Sequence, residues 1–203
     1  MFQRFTALDF SDYAIRLAAI LTGHCWKQVA KLANALAEAS HYGRQVLICG
    51  NGGSAANAIH WANDLFYVNA KAGGKGIRII ALPANQSVMT CLANDMSYEE
   101  VFSTQVSTFG RARDLLIVLS GSGNSPNVVR ALQAAKAIGM KSFSLTGFTG
   151  GECRKLADVA VHFPVNDMQI AEDLQIVVCH MLAQNLSKSA SLGNSPSCAL
   201  DLA

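Results

Sequence analysis

A chain of 203 residues is long enough for one α/β domain with a sizeable core and an added helix or two, and too short for two such domains. Hydrophobic residues make up 51% and charged residues only 15%, a balance that points to helix faces buried between subunits, and 16 basic against 14 acidic residues without a basic run argue against a nucleic-acid partner. The N-terminus MFQRFTALDFSDY lacks a basic region followed by a long apolar segment, and no stretch reaches the roughly 18 apolar residues of a membrane span, so a cytoplasmic protein with no membrane partner is expected.

From Phe10 to Ser40 the apolar residues Tyr13, Leu17, Ile20 and Leu21, then Trp26, Val29, Leu32 and Leu36, recur at helical spacing. The pattern predicts one long helix, or two divided near Thr22-Gly23-His24, with an apolar face that packs on the domain or in a bundle between subunits. His41-Tyr42-Gly43 is the expected stop, and Val46 to Cys49 the first strand, a continuous apolar run suited to a parallel sheet covered on both faces.

Gly50, Asn51, Gly52 and Gly53 follow that strand, and Ser54 is expected to cap the next helix. Glycines permit positive φ and close approach, so successive N–H groups can aim at one point beside a helix N-terminus, which favours a phosphate or a polar sugar end. A tight strand-to-helix connection that binds nothing would have the same pattern. The loop has neither the Lys-Ser/Thr pair of a P-loop nor a GxGxxG, so no nucleotide is expected. His60 and Asp64, four residues apart, share one helix face and could share a ligand or a metal, or be two solvated residues of an ordinary helix.

Asn69 to Gly76 is a polar loop and Ile77 to Leu82 the second strand, stopped by Pro83. Short helices are expected over Gln86 to Ala93 and Tyr98 to Phe109, with Asn94-Asp95 in the turn between them. Leu115 to Leu119 is the third strand and runs into Ser120-Gly121-Ser122-Gly123-Asn124-Ser125-Pro126, which opens the helix Asn127 to Ile138. Three hydroxyls and a helix N-terminus without a lysine make a second anion cradle that suits a phosphomonoester better than a triphosphate with magnesium.

Lys141 to Thr146 and Val159 to Phe163 complete five strands, with a glycine-bearing loop from Gly147 to Gly151 and a short helix from Glu152 to Ala157 between them. Alternating strands and helices predict a doubly wound parallel sheet whose ligands gather at the carboxyl ends of its strands. A final helix, Met168 to Ser187, carries Glu172, Asp173, Gln175 and His180, and either carboxylate could accompany His180 in a site. Residues 188–203 lack periodicity and are expected to form a mobile tail beyond a single domain of residues 1–187. The six cysteines contain no CxxC pair and read as reduced residues, mostly in apolar surroundings.

GNGGSAANAIHWANDL, the AND of Ala93 to Asp95, SGSGNSPNV, LTGFTGG and EDLQIVVCH resemble, in order and spacing, the sugar isomerase (SIS) domain family, and within it the phosphoheptose isomerases. The resemblance implies a flavodoxin-like fold, a homotetramer with sites built between subunits, and interconversion of sedoheptulose 7-phosphate with a heptose 7-phosphate for surface glycan synthesis. Ser120, Ser122 and Ser125 would contact phosphate, and Asn51, Gly52, Gly53, Ser54, Asn94 and Asp95 the sugar. Zinc would fall to His60, Asp64, Glu172 and His180, with Asp64 and His180 also catalytic and Glu172 also facing substrate. The family normally has Glu at position 64, Gln at 172, His at 175 and Thr at 121, and polar residues where this chain has Met168 and Ile170. Aspartate is one methylene shorter, so its carboxylate would sit about 1 Å or more from the productive place, enough to cost on the order of 10²-fold, unless the site has shifted to suit another sugar. Some SIS domains sense sugar phosphates or bind protein partners without turnover, which is the alternative from another class.

Overall fold

The computed structural model describes residues 6–68 and 76–193. The first strand, β1 (Gln45–Gly50), lies near the middle of a five-stranded parallel sheet with β2 (Arg78–Ala81), β3 (Leu115–Ser120), β4 (Lys141–Thr146) and β5 (Val159–His162), in the order β2-β1-β3-β4-β5. This is the flavodoxin-like doubly wound order, in which the chain reverses direction across the sheet between β1 and β3 and leaves a crevice at their carboxyl ends. β1 and β3 are buried almost throughout, which explains their unbroken apolar sequence.

Helices cover both faces. One core joins Leu32 and Leu36 of α2 (Lys27–Tyr42), Trp61 and Leu65 of α3 (Gly52–Tyr67), and Leu174 and Val178 of α8 (Met168–Gly193) to Ile48, Ile117 and Phe143 of the sheet. The other packs Val106 of α5 (Ser103–Phe109) and Leu132 of α6 (Pro126–Ile138) on Leu47, Leu116 and Val118. Alternate strand residues thus serve opposite cores, as the period of two requires.

The N-terminal helical segment is divided as the glycine suggests, into α1 (Ala7–Gly23) and α2, and Gly43 closes α2 in the left-handed conformation with φ 65°. Ser54 does not cap α3: the helix begins at Gly52 with Asn51 in the cap position, and the Ser54 hydroxyl instead accepts a bond from Gln175. Asn94 and Asp95 are not a turn but the last residues of α4 (Gln86–Asp95), because the Met96 N–H continues the ladder to the Leu92 carbonyl. Tyr98–Glu100 is a single 3₁₀ turn, and only Ser103–Phe109 of the expected second helix is α-helical. A short α7 (Gly151–Leu156) follows β4. The last helix overruns the expected end at Ser187 and takes in Lys188 to Gly193, so the start of the expected tail is helical. Residues 194–203, and the expected loop over 69–75, lie outside the described residues. Among the described residues all five cysteines are unpaired, with Cys49, Cys153 and Cys179 buried, and no helix is long and apolar enough to cross a membrane.

α1 is held by polar contacts at one end of α8. The Tyr13 hydroxyl donates to Asp173 at 2.6 Å, and Arg16 pairs with Asp167 at 2.7 Å. Burial first, then the Asp173 carboxylate, pushes the Tyr13 phenol up from 10.0 to about 12. A raised phenol value means that folding favours the neutral form. The stabilisation is therefore whole below about pH 10 and is lost as pH rises through about 12. Tyr13→Phe should lower the denaturation midpoint near neutral pH, and the gap to wild type should narrow over that alkaline window.

Trp61, fully buried, fills the seam between α3 and α8 and donates its indole N–H to the Gln175 carbonyl at 3.0 Å. Trp61→Ala should cost about 3–5 kcal/mol in chemical denaturation, the range for a large aromatic lost from a core.

Candidate active site

At the carboxyl edge of the sheet, the turns after β1 and β3 face one another across the crevice. Between them lies a cavity of about 280 Å³, walled by Asn51, Gly52, Gly53 and Ser54 on one side and by Ser120, Gly121, Ser122 and Ser125 on the other. Met168 and Glu172, from the first five residues of α8, form a third side. The two turns are fastened by a reciprocal amide pair in which Asn51 and Asn127 each donate to the other at 2.8 Å. The Tyr98 hydroxyl donates to the Asn51 side-chain amide oxygen at 3.0 Å.

The serine turn is built to leave donors available. The Ser120 hydroxyl accepts from the Gly123 N–H at 3.0 Å and so shapes the loop from inside, while Ser125 sits in the cap position of α6 without a side-chain capping bond. The N-terminus of α6 carries partial positive charge, and with hydroxyls of Ser122 and Ser125 beside it the turn suits a phosphate. Gly123 has φ 71°, and a side chain there would overlap the Gly150 carbonyl. The LTGFTGG stretch is the brace behind the cradle: the Gly147 and Cys153 N–H groups donate to the Gly121 and Gly123 carbonyls at 2.9 Å, and Asn124 accepts from the Glu152 N–H at 3.0 Å.

Glu172 lies directly over Gly53, so that any side chain at Gly53 would overlap its carboxylate. A carboxylate of the chain itself thus stands beside the N-terminal turn of α3, where the sequence pattern suggests an external anion. This leaves the serine turn as the cradle without a resident negative charge. Met168 likewise packs its sulfur against Gly121, an apolar wall at the mouth of that cradle.

Further along α3 and α8, three side chains meet. The His60 and His180 Nε2 atoms are 2.9 Å apart, and one oxygen of Asp64 lies 3.4 Å from the first and 3.7 Å from the second. Bond lengths of about 2.1 Å in a tetrahedral zinc site set neighbouring ligand atoms about 3.4 Å apart, so these three atoms fit one face of such a site. The Cys179 sulfur joins the group: ligand atoms of His60, Asp64 and Cys179 all lie within 4.8 Å of one another. Burial, and then the nearby Asp64 carboxylate, pushes the Cys179 thiol up. Glu172 is not among the atoms gathered there.

Gln175 aligns the two helices. It is 2% exposed, donates to Ser54 at 3.1 Å and accepts from Asn57 at 2.9 Å, while Asn57 also donates to the Glu172 carbonyl. Asn94 and Asp95 are exposed and do not line the cavity; Asp95 accepts from Asn94 at 2.7 Å and from the Cys91 thiol, and these bonds hold its carboxyl below the usual range. Asp173, the other carboxylate weighed beside His180, is turned away toward Tyr13.

Three participants were not singled out from sequence. Asn127 lies inside the SGNSPN motif, where its helical position hid its pairing with Asn51. Cys179 stands next to His180 and was readable only as an apolar core residue. Tyr98 carries no local signal, since only the fold brings it to Asn51.

The SIS domain family matches residues 9–147. The phosphoheptose isomerase of Helicobacter pylori strain P12 is 42% identical over 144 residues, 71% of this chain and 74% of that one, and the phosphoheptose isomerase of Chlorobaculum parvum is 38% identical over 174 residues, 85% and 83% of the two chains. Among solved structures, the phosphoheptose isomerase of Neisseria gonorrhoeae superposes with a TM-score of 0.82 at 29% identity, over 90% of this chain and 96% of that one. The family match over most of the length, together with relatives at this identity and coverage, places the chain in the SIS domain family, among the phosphoheptose isomerases.

Proposed function

We propose that the protein is a sugar-phosphate aldose–ketose isomerase that interconverts sedoheptulose 7-phosphate and a heptose 7-phosphate, a step toward surface glycans such as lipopolysaccharide or capsule. One observation carries the reading. The cavity at the sheet edge, with the serine turn on one side and the starts of α3 and α8 on the others, lies at one end of the helix pair that carries the His60–Asp64–His180 cluster. Gly53 and His60 are seven residues apart on α3, about 10 Å along the axis, a separation that a phosphorylated seven-carbon chain can span.

Phosphate is held by Ser120, Ser122, Ser125 and the N-terminus of α6. Glu172, with Gly52 and Gly53, faces the sugar hydroxyls as an acceptor. Asp64 moves the proton between C1 and C2 as general base, and His180 moves the proton between the two oxygens. His60, Asp64 and His180 would hold zinc, which when bound supplies positive charge against the negative charge that develops on the substrate oxygens. Asn94 and Asp95, exposed on α4, reach the sugar only if α4 belongs to a site completed by a second subunit. Phe10 and Ile15 of α1, 66% and 67% exposed, support a homo-oligomer, with a homotetramer as the expected form. The setting is cytoplasmic.

Purified protein given sedoheptulose 7-phosphate should form an aldose phosphate, and Asp64→Asn and His180→Ala should each lower kcat by about 10²-fold or more. A second reading, binding without turnover, draws on the Met168 sulfur against Gly121 at the cradle mouth. Tight binding of C5 to C7 ketose phosphates with no product, with or without zinc, would favour it.

Ser122 and Ser125 together should matter for affinity, because each hydrogen bond to a charged group is worth about 1.5–3 kcal/mol. Calorimetry on the Ser122→Ala, Ser125→Ala double variant should show the dissociation constant rising by about a hundredfold or more. An unchanged constant would place the phosphate elsewhere.

A further inference from the structure

Asn51 and Asn127 stand at the starts of two helices that open on the cavity, Asn51 in the cap position of α3 and Asn127 in the first turn of α6. Which way their amides face is decided by a group that cannot reverse its role. The Val128 backbone N–H donates to the Asn127 side-chain oxygen at 3.0 Å, and a turned amide would set its NH₂ group against that N–H. The Asn127 oxygen therefore also takes an Asn51 N–H, and an Asn127 N–H goes to the Asn51 oxygen, both at 2.8 Å. A phenol hydroxyl can give or accept, but against an oxygen fixed in this way Tyr98 must donate, at 3.0 Å. Asn127 is buried, so water does not compete for these bonds.

A side-chain amide has two N–H donors and an oxygen with two lone pairs. Both lone pairs of the Asn51 oxygen are taken, by Asn127 and by Tyr98, and one of its N–H groups is spent on Asn127. Among the described residues its second N–H has no partner, and Asn51 lines the cavity. Resting on the reading of this cavity as a sugar-phosphate site, we infer that Tyr98 and Asn127 are positioning residues that hold Asn51 as a donor to an oxygen of the bound sugar. Asn51 stands on the β1 turn, across the cavity from the serine turn, so the oxygen it reaches belongs to the sugar and not to the phosphate. With its own oxygen saturated, Asn51 does not accept from a sugar hydroxyl, and that role is left to Glu172.

The test is equilibrium dialysis of full-length protein with sedoheptulose 7-phosphate and, separately, with inorganic phosphate. Tyr98→Phe removes only the hydroxyl of an exposed ring, and Asn127→Ala removes the amide pair. Each should raise the dissociation constant for the sugar phosphate about threefold to tenfold, the worth of about one hydrogen bond, and leave that for inorganic phosphate within about twofold. Asn127→Asp adds a pH signature that loss of structure would not produce. As a carboxylic acid it has the amide's donor and acceptor; as a carboxylate it sets a charged oxygen against the Asn51 oxygen. Relative to wild type at the same pH, its sugar-phosphate affinity should be weak at about pH 8 and recover at about pH 5. Weakening of both ligands alike, unchanged sugar-phosphate binding in either natively folded variant, or an Asn127→Asp deficit independent of pH would overturn the positioning role. Wild type that binds no sugar phosphate would overturn the reading of the site itself.

Discussion

The seam between α3 and α8 is the constraint on which the site depends. Both helices start at the cavity, and His60 follows about two turns into α3 and His180 about three turns into α8. A slip of one residue would move His60 and His180 by about 1.5 Å along the seam and rotate them by about 100°. Trp61 and Gln175 prevent that slip by different means. The indole fills volume in a close-packed core, while the buried Gln175 amide finds partners only in one register, with Ser54 and Asn57. A buried amide without its partners costs more than a made hydrogen bond gains, so the network selects a geometry more strongly than it stabilises the fold.

The second fastening joins the turns rather than the helices. Each turn ends a different central strand, and β1 and β3 pair in parallel register from Val46–Leu115 to Gly50–Leu119. The sheet sets the distance between the turns, and the Asn51–Asn127 pair fixes their tilt. Arg130 of α6, which pairs with Glu99 and Glu100, ties the same helix to the segment that presents Tyr98. The cradle thus stands on ladder bonds, side-chain amides and two ion pairs, and among the described residues no lysine or arginine lines it. Neutral donors and a helix dipole hold a phosphate with less long-range attraction than lysine would, and with more dependence on fit.

Charge is distributed unevenly along the seam. Glu172 at the cradle end stands beside the amide-rich start of α3, a favourable place for a carboxylate. Asp64 lies lower, between two imidazoles and a buried thiol. A cation at the lower position would neutralise the Asp64 carboxylate, and the upper carboxylate lines the cavity between the two turns. Of the positions that set this chain apart from the family pattern, Asp64, Met168, Ile170, Glu172 and Gln175 lie on α3 and α8, and Gly121 lies in the serine turn against Met168.

The sequence by itself determined the elements that local rules decide: the apolar strands, the alternation that forces a parallel sheet, the Gly23 and Gly43 breaks, and the serine turn before Pro126. These follow from periodicity and backbone freedom, which need no distant partner. The motifs also identified the family, and with it most of the residues that line the cavity. What only the tertiary structure decided involves residues far apart in the chain. Ser54 looks like a cap, yet its hydroxyl serves Gln175, because α8 arrives at the seam and offers a better-placed donor. Asn94 and Asp95 look like a turn, yet α4 runs through them, since helical hydrogen bonds outweigh a weak local turn preference. Spacing along α8 leaves both Glu172 and Asp173 open as partners of His180, and the packing of α3 and α1 sends the first to Gly53 and the second to Tyr13. Side-chain direction at a helix seam depends on the opposing helix, and spacing along one chain carries no record of it.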